Sequence, residues 1–143
     1  MSQFSVDDDG VESSGLLTML NQGFTQEDLD ANLTACMYSG NNAVNKGNMG
    51  DMLLGKVIAI SKEKHPDTGM ALYATVYARG VARFQYSTCG KPDIGRPVCL
   101  AGEGKVCRPG STFIDGNILN WASSRGVVIA IDKECSTCDV WLG

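Results

Sequence analysis

The sequence predicts a mainly β fold, a small β-barrel or β-sandwich with an N-terminal extended arm and one short helix. From residue 51 onward, short runs rich in Val, Ile, Tyr and Phe recur, which is typical of strands. The chain has 17 glycines in 143 residues, enough to supply many tight turns. Polar turn segments separate the runs at the short spacing found in barrels and sandwiches.

Residues 1–50 predict an arm with a helix rather than part of the core. The stretch 1–24 is rich in Ser, Asp, Gly, Gln and Asn, and its acidic start at residues 7–9 is typical of a solvated tail. One apolar patch interrupts it. We expect this patch to anchor the arm on a neighbouring subunit; its residues are Leu16, Leu17, Met19 and Leu20.

A helix-start signal follows the patch. Thr25 can cap a helix whose third position is Asp28, an acid that suits the helix dipole. Phe24, just before the cap, can pack against Leu29 and staple the first turn. This predicts a helix over residues 25–36, within an arm over 1–50 that precedes a barrel domain over 51–143.

The barrel domain is predicted to contain seven short strands. They are expected at residues 52–61, 70–78, 80–86, 97–101, 105–108, 127–132 and 139–142. The fourth and fifth flank Gly102-Glu103-Gly104, a turn typical of a hairpin. Counting outward from that turn places Cys99 opposite Cys107.

A nine-residue segment occurs twice in the barrel domain. Gly-Lys-Val-Ile-Ala-Ile-Ser-Lys-Glu at 55–63 returns as Gly-Val-Val-Ile-Ala-Ile-Asp-Lys-Glu at 126–134, with seven of nine positions identical. Chance similarity between two strands would give the same composition. A structural repeat instead predicts two equivalent hairpins on opposite sides of one core.

Charge and hydropathy disfavour nucleic acids and membranes as partners. The formal net charge is −4 and no Lys/Arg cluster is present, which disfavours a nucleic-acid partner because such binding depends on neutralising phosphates. No run of 18 apolar residues predicts a membrane span. The N-terminal residues lack the pattern of a secretory signal, so synthesis in a cytoplasm is expected.

Six cysteines leave several interpretations open. Cys135 and Cys138 form a CxxC pair, and one interpretation is that they bind zinc together with Cys99 and Cys107. A cross-strand disulfide between Cys99 and Cys107 is a second interpretation. Thiols that pack as small apolar groups are favoured in a reducing cytosol, so we expect no metal and no cofactor.

No residue pattern predicts catalysis. His65 is the single histidine and lies in a polar turn beside Pro66 and Asp67, where a solvated role is expected. Tyr73 and Tyr77 share strand parity and therefore one face, which packing or a subunit contact would explain. The chain is therefore predicted not to be an enzyme.

Several segments of the barrel domain resemble the small phage capsid decoration proteins, also called cement or head-stabilising proteins. The order of elements from about residue 51 to 143 carries the resemblance. The matching segments are Tyr77-Ala-Arg-Gly-Val-Ala-Arg-Phe84, Ile94-Gly-Arg-Pro-Val-Cys-Leu-Ala101, Gly104-Lys-Val-Cys107, Arg125-Gly-Val-Val-Ile-Ala-Ile131 and Asp139-Val-Trp-Leu142.

The resemblance implies a β-tulip-like structural virion protein. Such a protein would bind the outer surface of a bacteriophage capsid as a homotrimer, bridge major capsid protein subunits and stabilise the shell. No catalytic residue carries over. The expected capsid or subunit contacts are Leu16, Leu17, Met19, Leu20, Phe24, Tyr73 and Tyr77. Alternatives are another virion accessory protein, such as a head-fibre base or tail component, and a zinc-stabilised β-barrel binding module.

Overall fold

The computed structural model describes residues 15–110, 113–114, 117–118 and 124–143. The described chain is mainly β, with one single-turn α-helix (α1, Gln26–Asp30) and one 3-10 turn (Thr88–Gly90). The strands are β1 Leu16–Asn21, β2 Ala35–Gly40, β3 Ala43–Asn45, β4 Gly55–Ile60, β5 Tyr73–Tyr77, β6 Val81–Gln85, β7 Cys99–Gly102, β8 Lys105–Cys107, β9 Phe113–Ile114, β10 Asn117–Ile118, β11 Val127–Asp132 and β12 Thr137–Trp141.

The first five strands close into a barrel. Their order around the ring is β1-β3-β2-β4-β5, and β5 pairs back onto β1. The β1–β3 pair is parallel, whereas the other pairs are antiparallel. Closure leaves no unpaired edge in this ring. The predicted mainly β fold with a barrel is therefore confirmed, but this closed ring spans residues 16–77 and not the predicted barrel domain over 51–143.

The second half of the chain repeats this connectivity. β12 lies between β6 and β11 in an antiparallel sheet, and β7 pairs with β8. Two single bridges join these pieces: a parallel one between Tyr86 and Val106, and an antiparallel one between Val98 and Arg125. The resulting ring order, β6-β8-β7-β11-β12, matches the order of the first barrel strand for strand.

Pairing registers show the same correspondence. In the β2–β3 hairpin Tyr38 faces Val44, and the register shifts before Gly40. In the β7–β8 hairpin Leu100 faces Val106, and the register shifts before Gly102. The repeat therefore extends beyond the nine-residue segment to strands without recognisable sequence similarity.

Each half has its own hydrophobic core. In the first, Val57 on β4 faces Val76 on β5, and in the second, Val128 on β11 faces Val140 on β12; all four are fully buried. Other buried residues occupy matching strand positions. These pairs are Met19 and Phe84, Cys36 and Val98, Val44 and Val106, and Ala74 and Cys138.

The nine-residue segment marks this repeat. Both copies form the first strand of a hairpin with a β-bulge at the same place, between Val57 and Ala59 and between Val128 and Ala130. The structural interpretation of the segment is confirmed. The prediction of one shared core is wrong, because the two hairpins line different cores.

The prediction that residues 1–50 form an arm outside the barrel is wrong from Leu16 onward. β1, β2 and β3 supply three of the five strands of the first ring. The first half runs from β1 to Tyr77, so the predicted domain boundary at residue 51 falls inside it. Backbone pairing explains this: five of the six residues of β1 pair with β5, so the ring cannot close without this strand. The acidic positions 7–9 lie outside the described residues.

The predicted helix begins where expected but is shorter. Thr25 accepts a hydrogen bond from the Asp28 amide, and the Asp28 carboxylate accepts one from the Thr25 amide, a capping box. The helix ends at Asp30 instead of residue 36, and Asn32 adopts a left-handed conformation. The following residues extend into β2, where Ala35 and Cys36 pair with β4.

Candidate interaction surface

A groove crosses the junction between the two halves. It consists of two cavities of about 310 Å³ and about 220 Å³ that share Tyr38, Leu54 and Arg125. We call this feature the junction groove. Its other lining residues are Met37, Met52 and Leu53 in the larger cavity and Gly15, Leu17, Ala78 and Arg79 in the smaller one.

The rim of the groove exposes large apolar side chains. Tyr38, on β2, is 55% exposed, and Met52, in the segment before β4, is 50% exposed. Leu53, beside Met52, is fully buried in the second core and forms the base. Apolar side chains held at the rim of a concave surface are typical of sites where another molecule docks.

Arg125 holds the base of the groove together. Its guanidinium donates hydrogen bonds to the carbonyl oxygens of Leu53 and Leu54 in the first half. It also donates to Ala78, between the halves, at 2.6 Å, and to Leu142, near the end of the second half, at 3.3 Å. One side chain therefore connects three separate segments of backbone.

The positive charge of Arg125 is balanced by carbonyl dipoles alone within the part of the chain the structure describes. No ion pair with a carboxylate is found for it among those residues. Burial lowers the pKa of the guanidinium from its ordinary value, although Arg remains charged at any physiological pH. A groove with apolar walls and a partly buried cation favours an occupant that brings a carboxylate beside apolar groups.

A second apolar surface lies on the outer face of the second half. Val81 on β6 faces Trp141 on β12, and Trp141 faces Val127 on β11. Val81 is 49% and Trp141 52% exposed. Exposed Trp next to another apolar side chain is characteristic of the centre of protein contacts. We call this set, Val81, Val127 and Trp141, the tryptophan patch.

The predicted contact residues of the N-terminal segment differ in burial. Met19 and Phe24 are buried in the first core, so neither is available to a partner in this fold, which corrects the prediction for both. Leu17 packs partly against that core and also lines the junction groove. Leu16 and Leu20 are half-buried on the opposite face of β1.

The two predicted tyrosines share one face of β5, as their parity indicated. Ala74 and Val76 point into the first core between them. Tyr73 remains exposed, whereas Tyr77 packs partly against the second core. Tyr77 thus serves a contact inside the chain, and Tyr73 is the one of the pair that remains open to a partner.

The structure brings together one pair from the predicted zinc set. Cys99 faces Cys107 across the β7–β8 hairpin, as predicted, with their sulfurs 3.5 Å apart. Cys135 is exposed in the turn before β12, and Cys138 points into the second core. No group of three or more metal-binding side chains is found among the described residues, so the four cysteines do not assemble into a zinc site there.

His65 lies in the polar turn predicted for it. Its amide donates to the Met70 carbonyl, and its own carbonyl accepts from the Gly69 amide, so the backbone of this residue shapes the turn. Among the described residues, His65 belongs to no cluster of three or more His, Cys, Asp or Glu side chains.

Sequence reasoning missed the most distinctive residues of the groove. Tyr38 falls in the segment 1–50 that was expected to be an arm, and Arg125 lies just before the strand predicted at 127–132, with no role assigned to it. A signal for Arg125 was present, because an arginine directly precedes the glycine of the second repeat copy where the first copy has Leu54. A charged residue at a position that is apolar in the other copy indicates a special role.

Searches against protein-family models, curated proteins and solved structures find no match to this chain. Among the described residues, none of the helices has the length and apolar character needed to cross a membrane.

Proposed function

We propose that this chain is a non-enzymatic binding protein that attaches to other protein subunits through the junction groove. The observation that supports this most directly is the half-exposed pair Tyr38 and Met52 above a base that contains Arg125. Tyrosine is enriched among the few contact residues whose truncation costs about 2 kcal/mol or more of binding.

The specific partner we propose is the major capsid protein of a bacteriophage. The resemblance of residues 77–142 to capsid decoration proteins supports this choice, as does a compact scaffold with apolar surfaces on two sides. In this role the chain sits on the capsid exterior, bridges neighbouring capsid subunits and stabilises the shell. Repetition over a symmetric shell adds avidity to a modest single contact.

The groove indicates what the capsid segment looks like. Apolar side chains would fill the space beside Tyr38 and Met52, and a carboxylate would approach Arg125 from the solvent side. Among the described residues, backbone carbonyl groups are what this guanidinium contacts, so an acid buried next to it would supply the opposite charge. A basic capsid segment is disfavoured by the same charge.

A cosedimentation experiment tests the capsid proposal. Purified protein is mixed with cognate shells that lack it, and bound protein is quantified after pelleting. We expect wild type to saturate the shells and Tyr38→Asp and Met52→Asp to lower the affinity at least about tenfold, because each adds a charge to an apolar contact.

The matched control is Ile94→Asp. Ile94 is 60% exposed and lies outside both the junction groove and the tryptophan patch, so its replacement should leave occupancy unchanged. Failure of the wild-type protein to bind shells would refute the capsid proposal. Equal binding by wild type and both groove variants would show that the groove is not the contact.

We further propose that the chain associates as a homotrimer through the tryptophan patch. Light scattering should give three times the 15.2 kDa chain mass, and Trp141→Ser should shift the protein to a monomer. Trp141 lies on the outer face of β12, so its replacement leaves the second core intact. A monomeric wild type, or a trimer that survives Trp141→Ser, would contradict this assembly.

A further inference from the structure

The β7–β8 hairpin places two thiols directly opposite each other. Cys99 and Cys107 are cross-strand partners, both are buried, and their sulfurs are 3.5 Å apart. Directly opposed strand residues have the closest Cβ atoms in a sheet, so a covalent link needs only a small inward movement of both side chains.

The matching hairpin of the first half forms without a pair of thiols. The matching positions of the β2–β3 hairpin are Met37 and Asn45, which face each other in the same register. Both hairpins have the same pairing and the same register shift. The thiol pair is therefore a feature of the second half alone, beyond what the fold requires.

We propose that Cys99 and Cys107 form a modification site, a dithiol that a low-molecular-weight disulfide oxidises to an intrachain disulfide. One cysteine thiolate attacks the reagent disulfide, forming a mixed disulfide and releasing one reagent thiol. The second cysteine then attacks the mixed disulfide and releases the other. Two thiols of the protein are oxidised, one S–S bond forms, and the reagent is reduced to two thiols.

Burial sets the order of reaction with the other cysteines. Cys89 and Cys135 are exposed, whereas Cys99 and Cys107 become accessible only when the hairpin opens. The S–H contact with Cys107, together with burial, raises the pKa of Cys99. Less of this thiol is therefore ionised, and its attack on the reagent disulfide is slower. Oxidation of the pair is therefore slower than reaction at the exposed thiols.

The link would reinforce the junction between the halves. The Leu100 carbonyl on β7 accepts a hydrogen bond from the Gly50 amide, and the Gly104 carbonyl in the turn accepts one from the Ala35 amide. Both donors belong to the first half. Fixing the hairpin covalently limits its opening in the unfolded and partly unfolded chain, so the oxidised protein should be more stable.

Linkage mapping tests the proposal. Full-length protein carrying Cys89→Ser and Cys135→Ser is incubated with oxidised glutathione, alkylated and digested with trypsin, which cleaves after Lys105 and separates the two cysteines. We expect a loss of about 2 Da in the intact mass, for two hydrogens, and one linked pair of peptides joined through Cys99 and Cys107. The thermal unfolding temperature should rise by several degrees and return to its starting value after reduction.

Cys107→Ser in the same background is the control and should show neither the mass loss nor the shift in unfolding temperature. If the Cys107→Ser variant does not fold, the peptide map of the protein that keeps both Cys99 and Cys107 is sufficient to test the proposal. After denaturation the proposal leaves two alkylatable thiols, Cys36 and Cys138. Four alkylatable thiols after prolonged incubation, or a link from Cys99 to any cysteine other than Cys107, would overturn it.

Discussion

Arg125 shows how a single side chain can join two structural repeats. Its guanidinium reaches carbonyl groups of Leu53 and Leu54, of Ala78 and of Leu142, which belong to segments far apart in sequence. Planar geometry with several fixed donors makes this possible, and a lysine ammonium cannot reproduce it.

We expect Arg125→Lys to lower the free energy of unfolding by about 2 kcal/mol, because hydrogen bonds from a charged donor are lost and buried carbonyls are left without a partner. Urea unfolding monitored by tryptophan fluorescence measures this change. Arg96→Lys is the control, since Arg96 is exposed and its replacement should have little effect. Equal stability of the two variants would contradict the role assigned to Arg125.

Asp28 connects the single helix to the first barrel. Its carboxylate accepts hydrogen bonds from Thr25 and from the Lys46 ammonium at 2.9 Å, next to β3. Partial burial acts to raise the pKa of Asp28, but the bonds from Lys46 and Thr25 outweigh it and place the pKa below its ordinary value of 3.8. The ionised form is therefore stabilised by folding.

Asp28→Asn should destabilise the protein by about 1 kcal/mol at neutral pH. Because the folded pKa is depressed, the contribution is complete above the unfolded pKa of about 4 and is lost as the pH falls through the folded pKa. Unfolding free energies of wild type and variant should thus converge as the pH falls below the folded pKa. Asp30→Asn serves as the control, because it removes an exposed charge while the amide oxygen can still accept the hydrogen bond from Gln26. A difference that persists at low pH would argue against the electrostatic origin.

At the scale of the elements, the two bulged hairpins illustrate what the sequence determines locally. The repeated Gly-x-Val-Ile-Ala-Ile pattern predicted matching strands, and both copies form a strand with a bulge at the same position. The β7–β8 register was predicted correctly at Cys99–Cys107, because turn glycines fix the pairing of a short hairpin. Counting outward from the turn at residues 102–104 also places Ala101 opposite Lys105, but in the structure Gly102 lies there, because the register shifts next to the turn.

Gly126 begins the second bulged hairpin in a crowded place. It has a φ of +76°, and a β-carbon there would lie 2.7 Å from Val140 Cγ1 and 2.8 Å from the Trp141 carbonyl oxygen. Gly55, at the matching position of the first copy, meets the Tyr77 carbonyl in the same way. The close approach of the partner strand explains why both repeat copies start with glycine.

Gly126→Ala should therefore lower the free energy of unfolding by more than the backbone strain at a positive φ explains. Gly95 has a similar φ of +80° but open space around it, so Gly95→Ala isolates the strain, about 1 kcal/mol. Gly126→Ala is expected to cost about 2 kcal/mol more, because a neighbouring strand must shift. Chemical denaturation of both variants measures the difference, and equal costs would show that crowding at Gly126 is unimportant.

Other elements depended on partners that are distant in sequence. The segment before α1 was interpreted as an arm because its apolar residues form one short cluster between polar stretches. β1 is nevertheless a strand since it pairs on both sides, with β3 and β5. The residues after Asp30 leave the helix because Ala35 and Cys36 complete the sheet with β4, a gain that outweighs local helix propensity.

At the scale of the whole molecule, the two halves share their junction although each has its own core. The core of the second half includes Ala35 and Leu53 from the first, and Tyr77 packs against it. Residues contributed across the junction couple the stability of one half to the other. We therefore expect the halves to unfold together.

Matched core substitutions test this coupling. Val57→Ala and Val128→Ala occupy equivalent positions in the two cores, and each should cost about 2 kcal/mol through lost burial and the cavity that remains. Both should shift one single unfolding transition by similar amounts, measured in parallel by circular dichroism and tryptophan fluorescence. Two separate transitions, with each variant moving only one of them, would show that the halves are independent.

The sequence by itself determined the fold class, most strands of the second half, the facing cysteines and the repeated segment, since alternation, turn glycines and short-range register are local properties. Only the tertiary structure decided that residues 16–45 belong to a barrel, that the halves correspond strand for strand, and that Tyr38, Met52 and Arg125 meet in one groove. The physical reason is that barrel closure and the junction join segments dozens of residues apart, and hydrogen bonds and burial between distant segments leave no periodic trace in either of them.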